Sequence, residues 1–170
     1  PMSARRQRQM CIRDRTIGAS GVKQYENLDH ASIVGGEVKV RYSIAKNIVF
    51  TSNNSVSYGT DDEGKALPLI PPFKSINSIK YSWKQILFDV TYITGAMQNH
   101  VDFDKYGELP SAEFNVLNAS AGRKFDFKTS SLLLNLTVDN IFDAAYSEHL
   151  DFMSINRQGR NFIVNLTYTF

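Results

Sequence analysis

Residues 160–170 read Arg160-Asn161-Phe162-Ile163-Val164-Asn165-Leu166-Thr167-Tyr168-Thr169-Phe170. Phe162, Val164, Leu166, Tyr168 and Phe170 alternate with Ile163, Asn165, Thr167 and Thr169. Successive side chains of a β-strand point to opposite faces. The stretch therefore predicts a strand with one apolar face and one mostly polar face. The same period recurs upstream. Leu132, Leu134, Leu136 and Val138 alternate with Asn135, Thr137 and Asp139. Ile86, Phe88, Val90 and Tyr92 alternate with Asp89 and Thr91, and Val34, Val38, Val40, Tyr42 and Ile44 with Glu37, Lys39, Arg41 and Ser43. Between Phe114 and Phe127 the apolar residues change phase near Asn118.

This patterning predicts strands over 32–44, 47–58, 73–83, 85–97, 113–126, 131–141 and 160–170, with part of one more before Asn27. Short connections at 45–47, 83–85 and 126–130 alternate with long ones at 59–72, 98–112 and 143–159. All neighbours are expected to pair antiparallel, with no helix longer than two turns. Composition agrees. At 42% hydrophobic and 12% aromatic the chain is not a disordered tail. Apolar runs such as Leu132-Leu133-Leu134 fall far short of the roughly 18 residues a membrane helix needs. A membrane β-barrel is not excluded, because its strands alternate. The single cysteine, Cys11, excludes a disulfide scaffold.

The net charge of +2 hides an asymmetry. Residues 1–16 hold Arg5, Arg6, Arg8, Arg13 and Arg15 against Asp14, while the remaining residues carry 14 basic and 16 acidic groups. Met10-Cys11-Ile12-Arg13-Asp14-Arg15 resembles a translated sequencing adapter. Residues 1–16 are expected to be a non-native or disordered basic segment that packs on nothing, leaving 17–170 as the folded part. No stacking platform or binding motif accompanies the basic arm, so nucleic acid is not an expected partner.

A soluble β-domain also alternates, with its apolar face inward. Two features favour lipid instead. Tyr58, Phe73, Tyr81, Trp83, Phe125, Phe127, Tyr168 and Phe170 gather near strand ends, as in the aromatic girdles of a bilayer. Short turns also alternate with long loops, as in outer-membrane barrels.

The C-terminal half runs Val138-Asp139-Asn140-Ile141-Phe142-Asp143-Ala144-Ala145-Tyr146, then Glu148-His149-Leu150, Gly159-Arg160-Asn161-Phe162 and the terminal Leu166-Thr167-Tyr168-Thr169-Phe170. In this order and spacing these segments resemble a TonB-dependent outer-membrane receptor. Upstream, 25–37 and Leu67-Pro68-Leu69-Ile70-Pro71-Pro72 are similar to loop segments of the same barrels. The resemblance implies an all-β fold, an antiparallel transmembrane barrel portion comprising about the last seven or eight of 22 strands. It implies a piece of an outer-membrane transporter that takes up a scarce nutrient with TonB-derived energy. Ferric siderophore is the default cargo, with other metal complexes open. Expected partners are outer-membrane lipid, a plug domain and TonB. Phe170, Tyr168, Leu166 and Val164 resemble the assembly signal read by the barrel-insertion machinery. Asn140, Phe142, Asp143, Tyr146, Glu148, His149, Gly159 and Arg160 are the family-motif positions. The alternative is a complete eight-stranded barrel with a structural or adhesive role.

Enzymatic chemistry finds no support. The histidines are His30, His100 and His149, and no H-x-x-x-H, C-x-x-C or G-x-S-x-G pattern occurs. Asp61, Asp62 and Glu63 form an acidic cluster that reads as a solvated loop tip. Asp102 and Asp104 beside His100 read the same way, and Met97 with His100 is a weak soft-metal pair. No cofactor is implied. Glu37, Lys39, Arg41, Asn53, Ser55, Asp89, Thr91, Asn135, Thr137, Asn165, Thr167 and Thr169 are expected to line a hydrated lumen.

Overall fold

A computed structural model describes residues 12–17, 22–27 and 30–170. Two strands, β1 (Ile12–Ile17) and β2 (Val22–Asn27), form an antiparallel pair. The other seven form one antiparallel sheet in chain order. They are β3 (Ala31–Ala45), β4 (Ile48–Asp61), β5 (Lys74–Trp83), β6 (Ile86–Gly95), β7 (Phe114–Asp126), β8 (Ser131–Asp139) and β9 (Asn161–Thr169). Among the described residues helix is confined to the one-turn α1 (Phe103–Tyr106) and a 3-10 turn at Phe152–Ser154. The all-β reading holds, and the predicted strands fall on the observed ones with ends shifted by a few residues.

The largest shift is in β4, which continues to Asp61. Its ladder with β5 ends at Ser55↔Lys74, yet β3 accompanies it to Ala31↔Asp61. The β3–β4 hairpin thus rises six residues past its neighbour.

Residues 12–16 depart from the expectation of irregular structure. They pair rung for rung with β2, from Ile12↔Asn27 to Ile17↔Val22. Backbone pairing asks only for N–H and C=O groups in register. A charged run without an apolar face can satisfy it, and side-chain periodicity gives no warning. The rest of the expected basic segment lies outside the described residues.

Antiparallel order puts the three long loops, 62–73, 96–113 and 140–160, at one end of the sheet and the short turns at the other. The ladder also settles the faces. Leu132↔Tyr168, Leu134↔Leu166, Leu136↔Val164 and Val138↔Phe162 are direct partners, so these eight residues share one side. Phe162, Val164, Leu166 and Tyr168 are exposed there. The residues expected to line a lumen all lie on the opposite side. Rungs such as Arg41↔Thr51, Thr51↔Ser78, Ser78↔Thr91, Ser120↔Thr137 and Asn135↔Asn165 carry that polar face across all seven strands.

The core sits where the long loops fold onto this inner face. Ala66, Leu67, Ile70, Tyr106, Phe114 and Val116 are buried. Ile76, Ile93 and Val116 stand on one inner row beneath them. The phase change near Asn118 is explained here. From Leu117 onward Leu117, Ala119 and Ala121 keep the apolar side outward, while Phe114 and Val116, nearer the loops, turn inward to meet them. Among the described residues β3 and β9 each pair on one side only. The sheet is open, so the eight-stranded closed barrel is not the arrangement observed.

Candidate functional site

The three long loops form a cap held together by polar contacts. Loop 62–73 meets loop 96–113 at Asp61, the last residue of β4, beyond the ladder with β5. Lys105 of α1 places Nζ 2.8 Å from Asp61 Oδ2 and 3.0 Å from Glu63 Oε2. The Tyr106 hydroxyl donates to the same Asp61 oxygen, and the Lys65 backbone N–H donates to Oδ1 at 2.9 Å. Burial opposes ionisation of Asp61, but donation from Lys105 and Tyr106 outweighs it and holds the carboxyl well below its usual range. Asp61 is therefore no solvated tip. Its side chain has no exposed surface, whereas Asp62 and Glu63 remain exposed. Asp102 is also structural: its carboxylate caps α1 by accepting from the Lys105 N–H at 2.8 Å. His100 stacks on Tyr58 with ring centroids 4.2 Å apart.

Loop 140–160 opens on two left-handed residues, Asn140 (φ 50°) and Asp143 (φ 56°). Asn and Asp accept this conformation more readily than other side chains, which explains the residue types in Asn140-Ile141-Phe142-Asp143. Asn140 is buried. Its side chain donates to Ala144 O and accepts from Ala144 N, both at 2.9 Å, while its own N–H donates to Asn118 Oδ1 at 2.8 Å. Asp143 Oδ1 accepts from Arg160 N at 2.7 Å, and a Cβ at Gly159 would stand 2.6 Å from that oxygen. Arg160 Nε donates to Ile141 O at 2.8 Å. The motif positions Asn140, Asp143, Gly159 and Arg160 thus close the two ends of the loop on each other. Phe142 points away from this knot and is exposed.

Beyond the knot, Tyr146 stacks on Phe114 at 4.9 Å. Glu148 receives Lys74 at 2.6 Å and Arg157 at 2.6 Å. Arg157 also grips Asp151 through Nε and a terminal nitrogen, both at 2.8 Å. Hydrogen bonding from Arg157 and from the Glu148 N–H lowers the Asp151 pKa to about 2. The His149 side chain is enclosed, with Nδ1 3.0 Å from Ser111 Oγ. Its Nε2 lies 3.2 Å from Glu108 Oε1, near enough for charge attraction to a protonated ring but not aligned as a hydrogen bond. Glu108 Oε1 accepts from Leu69 N at 2.7 Å. Glu108 therefore touches both other loops. Nothing in the sequence flagged Glu108, Lys105 or Arg157: Glu108 and Lys105 act on loops distant in the chain, and Arg157 acts across a fold of its own loop.

Among the described residues no group of three or more His, Cys, Asp or Glu is placed to hold a metal ion. Of the four residues expected to form an assembly signal, Val164, Leu166 and Tyr168 lie on the outer face of β9, and Phe170 lies just past its end, almost fully exposed.

An open antiparallel meander with an outward apolar face, a polar inner face and long loops folded over one end is a section of a β-barrel wall of the outer-membrane type. It matches the barrel of TonB-dependent receptors. The chain is homologous to the heme/hemopexin utilization protein C of Haemophilus influenzae, a TonB-dependent receptor, at 29% identity over 150 residues, covering 86% of this chain and 20% of that protein. The protein of the same name from strain 86-028NP is also 29% identical, with 21% of its length covered. The chain thus spans about a fifth of the length of these relatives. Among solved structures it superposes on the copper transporter OprC with a TM-score of 0.80 over 95% of this chain and 27% of that one. At 23% identity this likeness is one of fold. No family model matches the chain.

Proposed function

We propose that this chain is a section of the barrel wall of an outer-membrane importer, which takes up a metal-containing nutrient with energy supplied through TonB. The observation that carries the reading is the pairing of a polar inner wall with three loops folded over its outer end. That arrangement suits a hydrated lumen filled by a plug, with cargo held beneath the loops. Ferric siderophore is the default cargo class that the family resemblance suggests. The names of the relatives add heme and copper. Residues from 17 onward would belong to the barrel and face outer-membrane lipid. Val164, Leu166, Tyr168 and Phe170 would be read by the barrel-assembly machinery through strand addition at a free edge.

The test is transport by the full-length protein that carries this sequence, expressed in a Gram-negative host stripped of its own receptors. Cells are supplied in turn with a ferric siderophore, heme or copper, with and without TonB. TonB-dependent accumulation of one of these is expected. Accumulation of none, or accumulation indifferent to TonB, would defeat the reading.

A further inference from the structure

We propose that His149 and Glu108 form a latch that acid closes. Protonation of His149 fixes Glu108 against loop 140–160, and Glu108 in turn holds Leu69 of loop 62–73. The device lies in the loop cap and needs neither cargo nor TonB, so it goes beyond the importer reading above. Three loops meet at this pair. Glu108 Oε1 accepts from the Leu69 N–H at 2.7 Å and lies 3.2 Å from His149 Nε2. Both side chains are enclosed, His149 with 3% of its surface exposed and Glu108 with 11%. His149 Nε2 and Glu108 Oε2 are the two enclosed side-chain atoms that lack a hydrogen-bond partner among the described residues. Both fall on one facing pair, and what that pair lacks is a proton.

Neutral imidazole carries a single N–H. With that proton on Nδ1, 3.0 Å from Ser111 Oγ, Nε2 turns a lone pair toward a carboxylate. With it on Nε2, Glu108 still keeps an enclosed charge that no cation meets. Imidazolium donates from both nitrogens and supplies the cation. Imidazole is also the side chain whose charge ordinarily changes between pH 5 and 8. The other charged groups around the pair are engaged elsewhere or face solvent. Lys74 of β5 and Arg157 sit on Glu148, and Arg157 holds Asp151. Lys105 sits on Asp61 and Glu63, Lys65 on Glu63, and Asp102 caps α1. Asp62, Asp104 and Glu113 are exposed, and His100 stacks on Tyr58.

The output of the latch is Leu69. Its φ of 58° is left-handed, a conformation that leucine avoids. The chain is fixed on both sides of it. The Leu67 N–H donates to Gly59 O at 3.0 Å, and Gln98 Nε2 donates to Ile70 O at 2.7 Å. The Leu69 side chain is exposed, so packing does not hold the turn; the bond to Glu108 does. An enclosed carboxylate without a cation is costly. When His149 loses its proton, Glu108 turns out to water and Leu69 relaxes from its left-handed state. Loop 140–160 stays closed on itself through Asp143–Arg160 and Asp151–Arg157.

The experiment follows amide hydrogen exchange, corrected for intrinsic rate, in the full-length protein that carries this sequence, held in lipid vesicles. The Leu69 amide should be about fivefold or more better protected at about pH 5.5 than at about pH 8, the gain expected when a hydrogen-bonded carboxylate acquires its counter-charge. The Glu148 amide, which donates to Asp151 at 2.8 Å, should be equally protected at both. His149→Gln should remove the Leu69 difference. Glu108→Gln should remove it too, while leaving an acceptor for the Leu69 N–H. If Glu108→Gln also disturbs the Glu148 amide, His149→Gln alone decides. Equal Leu69 protection at the two pH values, or a difference that survives His149→Gln, would overturn the proposal. So would Leu69 protection that rises with pH, the sign expected of a metal ion bridging the pair, because protons displace metal from imidazole.

Discussion

Lys105 and Asp61 are 44 positions apart, yet their charged groups lie 2.8 Å from one another at the junction of two loops. The carboxylate is wholly enclosed and the ammonium nearly so. The contact joins α1 of loop 96–113 to the top of the β3–β4 hairpin, which no backbone ladder with β5 supports at that height. Charge therefore fixes this loop where sheet pairing has ended.

Removing one partner should free the junction. Lys105→Met leaves a buried carboxylate without its cation, a change that typically costs about 3–5 kcal/mol. The loss should be local, because the strands below are held by their own ladders. Hydrogen exchange should quicken in 62–73 and 96–113 while β7 to β9 stay protected. Adding Asp61→Asn to Lys105→Met should recover part of the loss. Equal exchange in the wild type and Lys105→Met would refute the junction.

The third loop should resist acid. A folded pKa of about 2 for Asp151, against 3.8 for a free aspartate, means that its contribution is complete above about pH 4 and fades as pH falls toward 2. Arg157 is shifted upward by Asp151 and keeps its charge throughout. The Glu148 N–H, which donates to Asp151 Oδ2 at 2.8 Å, reports on the pair. Its exchange, corrected for intrinsic rate, should be equally protected at pH 8 and pH 4.5. Asp151→Asn should lower that protection at both. Because the Arg157 side chain is 43% exposed, the effect should be small and should shrink with added salt.

Gly95 is required by Phe114. A Cβ at Gly95 would fall well inside contact distance of the Phe114 ring, which is itself pinned by Tyr146. Gly95→Ala should destabilise the loop end of the sheet by about 1–3 kcal/mol, the usual cost of overpacking. Phe114→Leu in the same chain should relieve most of it. A denaturant series on the four combinations checks this, and additive effects would count against the clash.

Phe170 should matter for delivery rather than for the fold. It lies past the end of β9 and is 97% exposed. Deleting it removes about 1.5–3 kcal/mol of burial against lipid at most. Strand pairing from Ser131↔Thr169 to Asp139↔Asn161 does not involve it. In a full-length receptor the deletion should lower the amount in the outer membrane while uptake per inserted molecule stays normal. The reverse pattern would assign the last strand a transport role instead.

The strands and their faces were legible in the sequence because side-chain alternation is local. Knowing that Leu166 and Asn165 face opposite ways needs only their adjacency, and Leu134↔Leu166 follows once two such strands pair. The loop closure was legible in part. In the sequence Asn140, Asp143, Gly159 and Arg160 stand out only through a resemblance, and the left-handed turns and the Asp143–Arg160 contact give them a physical reason. Which acids are enclosed was not legible. Asp61, Asp62 and Glu63 are alike in sequence, but only Asp61 lies where α1 of another loop brings Lys105 and Tyr106 against it. Nor could alternation reveal that Glu108 faces His149 across 41 positions, or that Phe114 turns inward to stack on Tyr146. A strand's period is fixed by the backbone of a few residues. Contacts between loops depend on which turns end at the same height, and only the assembled sheet sets that.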